Sequence, residues 1–365
     1  MQSSDLFKFA CQCLLLDDHN GLSVTIKEKL ASGETNISKL IQLCSNHLVL
    51  PAVFRRLKNK GFSDYLPVDL VEHLNEILQL NIERNNRILK QIDEICQHLD
   101  NAGIKPVFMK GTANLLDNLY VDIADRMIGD IDFLVRDEDF LPAVEIAFKL
   151  GYKTDVEVYD EIKTLKEYPR LYRDDVPADL EIHRLPVIPR YSDWFGPELV
   201  FNKKKQIPDK TNCYVPSDKH KLIQNFIHSQ LTNKGHKHRL IALRDLYDCH
   251  LLLKKVNIDE VINEIKERAK AEIYFDFLHS IKSNNPDTDV LNKKSKNFIT
   301  KHNWFLNHPR IHYCYIKFFK IKDLITNRFL KAFVDKTVFR NLFVRITKRE
   351  WWQKRLFKGL KKYFS

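Results

Sequence analysis

Asp130 and Asp132 stand two residues apart in Gly129-Asp130-Ile131-Asp132-Phe133-Leu134-Val135, a run whose β-branched and aromatic content predicts a strand. A strand sends alternate side chains to opposite faces, so both carboxylates leave the same face, with α-carbons roughly 7 Å apart. Two converging carboxylates need a counter-charge, and a hard divalent ion that binds carboxylates together with phosphate oxygens is a common one. An isolated Asp-x-Asp is explained as well by solvated surface charge, so the neighbouring runs must decide. Upstream, Val107-Phe108-Met109 reads as a strand entering Lys110-Gly111-Thr112 and then a helix to about Tyr120. Such a turn can cradle phosphate, because glycine permits close backbone approach, Thr112 offers a hydroxyl and a helix start favours negative charge. Downstream, Asp179, Glu181 and His183 alternate along a third strand and share one face. Glu181 supplies a third carboxylate, fitted to bind metal or to take a proton from an attacking hydroxyl.

Three further groups have competing explanations. Arg126 precedes the Asp130 strand, where its guanidinium reaches either a phosphate or the adjacent Asp125. Asp245 and Asp248, three apart on an expected helix, either lean into a cleft behind the other carboxylates or pair at the surface with Arg244 or Arg239. His236-Lys237-His238 has no Cys or carboxylate at metal-ligand spacing and reads as a solvated loop.

The elements that must position these residues fall into stretches. Residues 1–103 form a helical lead, with Ile88, Leu89, Ile92, Ile95, Cys96 and Leu99 at helical spacing and a stop at Asn101-Ala102-Gly103. Residues 104–215 alternate short β-type runs, Val156 to Tyr159 among them, with a helix over about 138–150. Residues 216–290 return to helix behind the cap Pro216-Ser217-Asp218, and Asn284-Asn285-Pro286-Asp287 reads as a linker. Residues 291–365 form a basic, aromatic-rich helical tail. From Lys301 onward there are 17 Lys and Arg against three Asp and Glu, whereas the first 300 residues hold 42 against 45. The net charge of +11 therefore belongs to the tail, which would recruit an anionic partner such as phosphate, RNA or a lipid surface. In its last turns Trp352, Leu356, Leu360, Tyr363 and Phe364 share one helical face and lysines fill much of the rest, which suits an anionic membrane or nucleic acid, or packing against the body. A composition of 44% hydrophobic and 29% charged residues excludes a disordered chain. Seven scattered cysteines without a CxxC pair, and no signal-like start, predict reduced core thiols and a cytoplasmic protein, peripheral at the inner membrane face if the tail binds lipid.

Over about residues 35–255 the chain resembles an uncharacterised bacterial nucleotidyltransferase family of the DNA-polymerase-beta-like superfamily. The resemblance rests on His47 with Pro51, Phe108-Met109-Lys110-Gly111, Tyr120, Arg126, Gly129 to Val135, and Glu181-Ile182-His183. Arg244-Asp245-Leu246-Tyr247-Asp248 is similar to an element of related antitoxin-type nucleotidyltransferases. The resemblance implies an α+β fold with a small mixed sheet flanked by helical regions. It implies transfer of a nucleoside monophosphate from an NTP, with Mg2+ or Mn2+, to an acceptor that is a small molecule, saccharide, protein or RNA. Asp130, Asp132 and Glu181 would hold metal, Lys110, Gly111, Thr112 and Arg126 would meet the nucleotide, and His183 would orient Glu181 or bind acceptor. Gly111-Thr112 departs from the usual Gly-Ser or Gly-Gly turn but keeps a hydroxyl. The rival readings are a non-catalytic, antitoxin-like or regulatory binding protein on the same fold, and a transferase directed at RNA.

Overall fold

The computed structural model describes residues 1–16, 20–156, 165–282, 291–324 and 326. The helical lead comprises α1 (Ser3–Leu14), α2 (Asn20–Ala31), α3 (Ile37–Asn46), α4 (Leu50–Asn59) and α5 (Val68–Asn101). The 34-residue α5 buries Leu74, Leu78, Asn81, Asn85, Ile88, Ile92, Ile95 and Leu99 at steps of three and four. The apolar part of that stripe joins the core, and its amides serve another purpose described below.

Five strands form one mixed sheet in the order β3-β2-β1-β5-β4: β1 (Val107–Phe108), β2 (Asp130–Leu134), β3 (Asp179–His183), β4 (Lys204–Gln206) and β5 (Tyr214–Pro216). β2 and β3 run parallel in the register Asp130 to Asp179 and Asp132 to Glu181, which puts four carboxylates on one face. On the opposite face Phe133 meets Phe108 of antiparallel β1, ring centroids 5.7 Å apart. The outer edge of β3 is covered by residues 166–172, whose Tyr168 and Leu171 amides donate to the Ile182 and Leu180 carbonyls. Two short helices, α6 (Lys110–Leu116) and α7 (Phe140–Lys149), follow β1 and β2, and α8 (Pro197–Asn202) precedes β4. α6 stops at Leu116, a turn before the expected end.

Beyond the sheet come α9 (Asp218–Phe226), a π-helical turn (Ile227–Thr232), α10 (Gly235–His238), α11 (Leu243–Leu253), α12 (Ile258–Glu264), α13 (Arg268–Lys282), α14 (Lys293–Asn307) and α15 (Pro309–Leu324). The architecture is α+β, a small mixed sheet flanked by helical regions. His236-Lys237-His238 is not a solvated loop: it forms α10, His238 is buried, and His236 stacks on Phe298 at 5.4 Å. All seven cysteines are free, as expected, but Cys314 is exposed rather than in the core. No helix among the described residues is long and apolar enough to cross a membrane. The expected strand after Val156, the Asn284 linker and the amphipathic run from Trp352 lie outside the described residues.

Candidate active site

The segments that feed β2 and β3 are fixed by side chains of α5. Asn81 donates to the Ala124 carbonyl (2.8 Å), and Asn85 donates to those of Ile123 (2.7 Å) and Arg126 (2.8 Å). Arg84 donates to Ile128 and, at 2.7 Å, to Pro177, while Gln91 donates to Ala178 at 2.7 Å. Buried carbonyls without a strand partner would be costly, and these amides and guanidinium satisfy them. The carboxylate strands thus emerge from loops held on their polar atoms.

On the carboxylate face Asp132 is almost fully buried and has two cationic or potentially cationic neighbours. Lys110 Nζ donates to its Oδ1 at 2.5 Å and lies 3.5 Å from Glu181 Oε2, while His183 Nε2 lies 2.8 Å from the same Oδ1. His183 is itself fully buried, and its Nδ1 sits 3.0 Å from Glu167 Oε2. A carboxylate behind the far ring nitrogen is the usual way to fix an imidazole that faces a metal or an acid. Arg170 closes the outer side: Nη2 reaches Asp130 Oδ2 at 3.0 Å and Glu181 Oε1 at 3.1 Å, and Nη1 reaches Asp179 Oδ2 at 3.5 Å.

These contacts separate the two inner carboxylates in acidity. Burial opposes the charge on Asp132, but Lys110 and His183 outweigh it and hold the carboxyl well below its ordinary range. Glu181 goes the other way: burial, then the nearby Asp132 charge, raises its pKa. Lys110 is stabilised as an ammonium above its usual value, because Asp132 and Glu181 overcome its own burial.

A cavity of about 280 Å3 opens beside this face. Of the residues singled out in the sequence, Lys110, Gly111, Arg126, Asp130, Asp132, Asp245 and Asp248 line it, whereas Glu181 and His183 do not line it but lie close to Asp132, which does. Thr112 does not line it: the side chain is buried and its hydroxyl donates to the Asp130 carbonyl at 3.2 Å. Lys110, not Gly111, takes the left-handed backbone, with φ 53°. A Cβ at Gly111 would lie 3.0 Å from Arg126 Nη2 and 3.2 Å from Ile128 Cδ1, so a larger residue there would have to displace those side-chain ends. Arg126 lines the cavity and does not reach Asp125; its Nε donates to buried Asp248 at 3.2 Å, and Tyr120 donates to the other Asp248 oxygen at 2.8 Å. Asp245 and Asp248 are buried rather than paired at the surface, and Arg244 Nε stands 3.5 Å from Asp245.

Sequence reasoning missed Glu167 and Arg170, which lie in an irregular stretch without periodicity, and also Lys221, Asn225 and His228 on the far wall of the cavity. Lys221 is buried against Asp117 and Asp218. His47 is also explained: its Nδ1 accepts the Leu243 amide at 3.2 Å and so caps α11.

Asp132, Glu181 and His183 each offer one ligand atom, all within 4.8 Å of one another, and Asp130 projects from the same face. Two carboxylates and an imidazole, already gathered around the Lys110 ammonium, fit a divalent cation. Carboxylates on adjacent strands of a small mixed sheet thus face a cavity lined with Lys and Arg, an arrangement suited to phosphate together with a divalent ion. Residues 33–281 match the model of a family described as uncharacterised nucleotidyltransferase, and the chain belongs to that family. No curated protein matches the chain in sequence.

Proposed function

We propose that the chain is an enzyme transferring a nucleoside monophosphate from an NTP to an acceptor hydroxyl or phosphate, with Mg2+ or Mn2+ held by Asp130, Asp132 and Glu181. The observation that carries this reading is the convergence of Glu181 and His183 on Asp132, which with Asp130 lines the Lys110-Gly111 cavity. A bound divalent ion supplies charge stabilisation to the phosphates in such a site. His183, backed by Glu167, orients Asp132. Lys110 neutralises phosphate charge from its place beside Asp132, and Arg126, fixed by Asp248, lies behind Gly111 with its guanidinium turned to the cavity. Glu181, whose pKa is raised, is the carboxylate suited to receive the proton of an acceptor hydroxyl. The acceptor oxygen attacks the α-phosphorus, the new P–O bond forms, the bond to the β-phosphate oxygen breaks, and pyrophosphate leaves with the electron pair.

The test uses α-labelled ATP, GTP, CTP and UTP with Mg2+ or Mn2+ and a panel of small-molecule, saccharide, RNA and protein acceptors. Asp132→Ala is expected to lower label transfer by about 10³-fold while circular dichroism stays unchanged. Undiminished transfer by that variant removes the assignment.

A further inference from the structure

Arg170 is held on the rim of the site in a manner different from Lys110. Its backbone is tied down, because Leu171 exchanges both amide hydrogen bonds with Leu180 of β3. Its side chain is 54% exposed, against 20% for Lys110, yet it lines the cavity. The guanidinium touches Asp130, Asp179 and Glu181, and two of those three belong to the proposed metal set. The carboxylates are thus occupied by the chain's own cations, Lys110 on the inner side and Arg170 on the outer.

A divalent ion drawing on Asp130 and Glu181 competes for them with a guanidinium about 3 Å from both, because like charges so close repel. Solvent screens half-exposed Arg170 more than Lys110, so of the two cations Arg170 yields at the lower cost. From a fixed backbone its long side chain lines the same cavity, and its planar fork matches phosphate oxygens two at a time. We propose that Arg170 is an exchangeable latch: it occupies the carboxylates when metal is absent, is displaced by the ion, and then binds the phosphates of the nucleotide. Metal and nucleotide binding are then coupled through one side chain, and the coupling is reciprocal.

The inference rests on the metal reading of the carboxylates, and the experiment separates the two. MnCl2 is titrated into the full chain without nucleotide, with free Mn2+ read by electron paramagnetic resonance. Inorganic tripolyphosphate is then titrated by calorimetry at saturating Mn2+. Wild type, Arg170→Met, Arg170→Lys and Asp132→Ala are compared. Removing the competing charge in Arg170→Met is expected to tighten Mn2+ binding about fivefold and to weaken tripolyphosphate about tenfold. Arg170→Lys keeps the charge without the fork, so Mn2+ binding stays near wild type while tripolyphosphate still weakens. An Arg170→Met chain that binds Mn2+ no more tightly than wild type, or an Arg170→Lys chain that binds tripolyphosphate equally well, overturns the latch. If Asp132→Ala binds Mn2+ like wild type, the metal reading itself fails and the latch with it.

Discussion

Asp125 is the side chain whose loss should cost the fold most per atom removed. Arg55 grips it with two bonds, Nε to Oδ1 at 2.5 Å and Nη2 to Oδ2 at 2.6 Å; Arg56 Nη1 reaches Oδ2 at 3.2 Å and Tyr247 donates to Oδ2 at 3.0 Å. The Asp125 carboxylate is wholly buried, and the two arginine side chains are 9% and 3% exposed. Asp125→Ala therefore leaves two guanidinium groups without their counter-charge in a site that water barely reaches. Breaking a buried pair in this way costs about 3–5 kcal/mol, since the guanidinium charges keep their desolvation penalty without the carboxylate, although Arg56 retains the Ala52 carbonyl and the Tyr247 hydroxyl. For a single cooperative unit of 365 residues, at about 2.1 cal/mol/K per residue, that is a fall in melting temperature of about 4–7 °C. Urea unfolding of Asp125→Ala, Arg55→Met and the double variant measures it. The double variant should lose less than the sum of the singles, because it leaves one stranded guanidinium fewer. A loss below about 1 kcal/mol for Asp125→Ala, or strict additivity, would refute the argument that this carboxylate holds the helical lead against the core.

Two other perturbations follow from the same geometry. The buried histidines His302 and His238 are held neutral, with pKa values lowered by burial to about 4. The unfolded chain binds protons at ordinary histidine values near 6.5, so stability is full above that pH and falls progressively as pH drops toward about 4. A urea midpoint that does not move between neutral pH and this lower limit contradicts it. Gly111→Val should push the Arg126 guanidinium away and cost about 1–3 kcal/mol as overpacking, with weaker tripolyphosphate binding; an unchanged urea midpoint would show that the space beside Gly111 is not needed.

The parts of the fold that repeat a period were legible in the residues. β1, β2 and β3 lie where alternation places them, and the parallel register of β2 and β3 brings Glu181 beside Asp132. What was hidden depends on partners distant in sequence. β4 and β5 are three residues each, and Lys204-Lys205-Gln206 has no apolar alternation to announce an edge strand. Arg170 reaches the site because residues 166–172 pair along β3, a contact that no local spacing encodes. Asn81 and Asn85 lie in the buried stripe of α5, and no periodicity announces that they bind the loop carbonyls that set the start of β2. Thr112 shows the converse, a residue correct in type for phosphate whose hydroxyl is spent on the Asp130 carbonyl.

The loop before β2 shows what the helical regions contribute to the site. Asp125 and Arg126 are neighbours that point to different partners: Asp125 to Arg55 and Arg56 of α4 and to Tyr247 of α11, Arg126 to Asp248 of α11. The carbonyls of the same loop go to Asn81 and Asn85 of α5. Apolar residues of similar volume would hold three helices together as well as buried ion pairs do, and often better. A stability requirement alone therefore does not account for two buried acid–base clusters on consecutive residues. Fixed orientation does, because directional hydrogen bonds restrain the position of a loop more narrowly than apolar contact, and four residues later the chain must deliver Asp130 and Asp132 to a face where a few tenths of an ångström matter. The helical lead and α11 are in that sense parts of the site, although none of the three carboxylates proposed to hold metal lies on them.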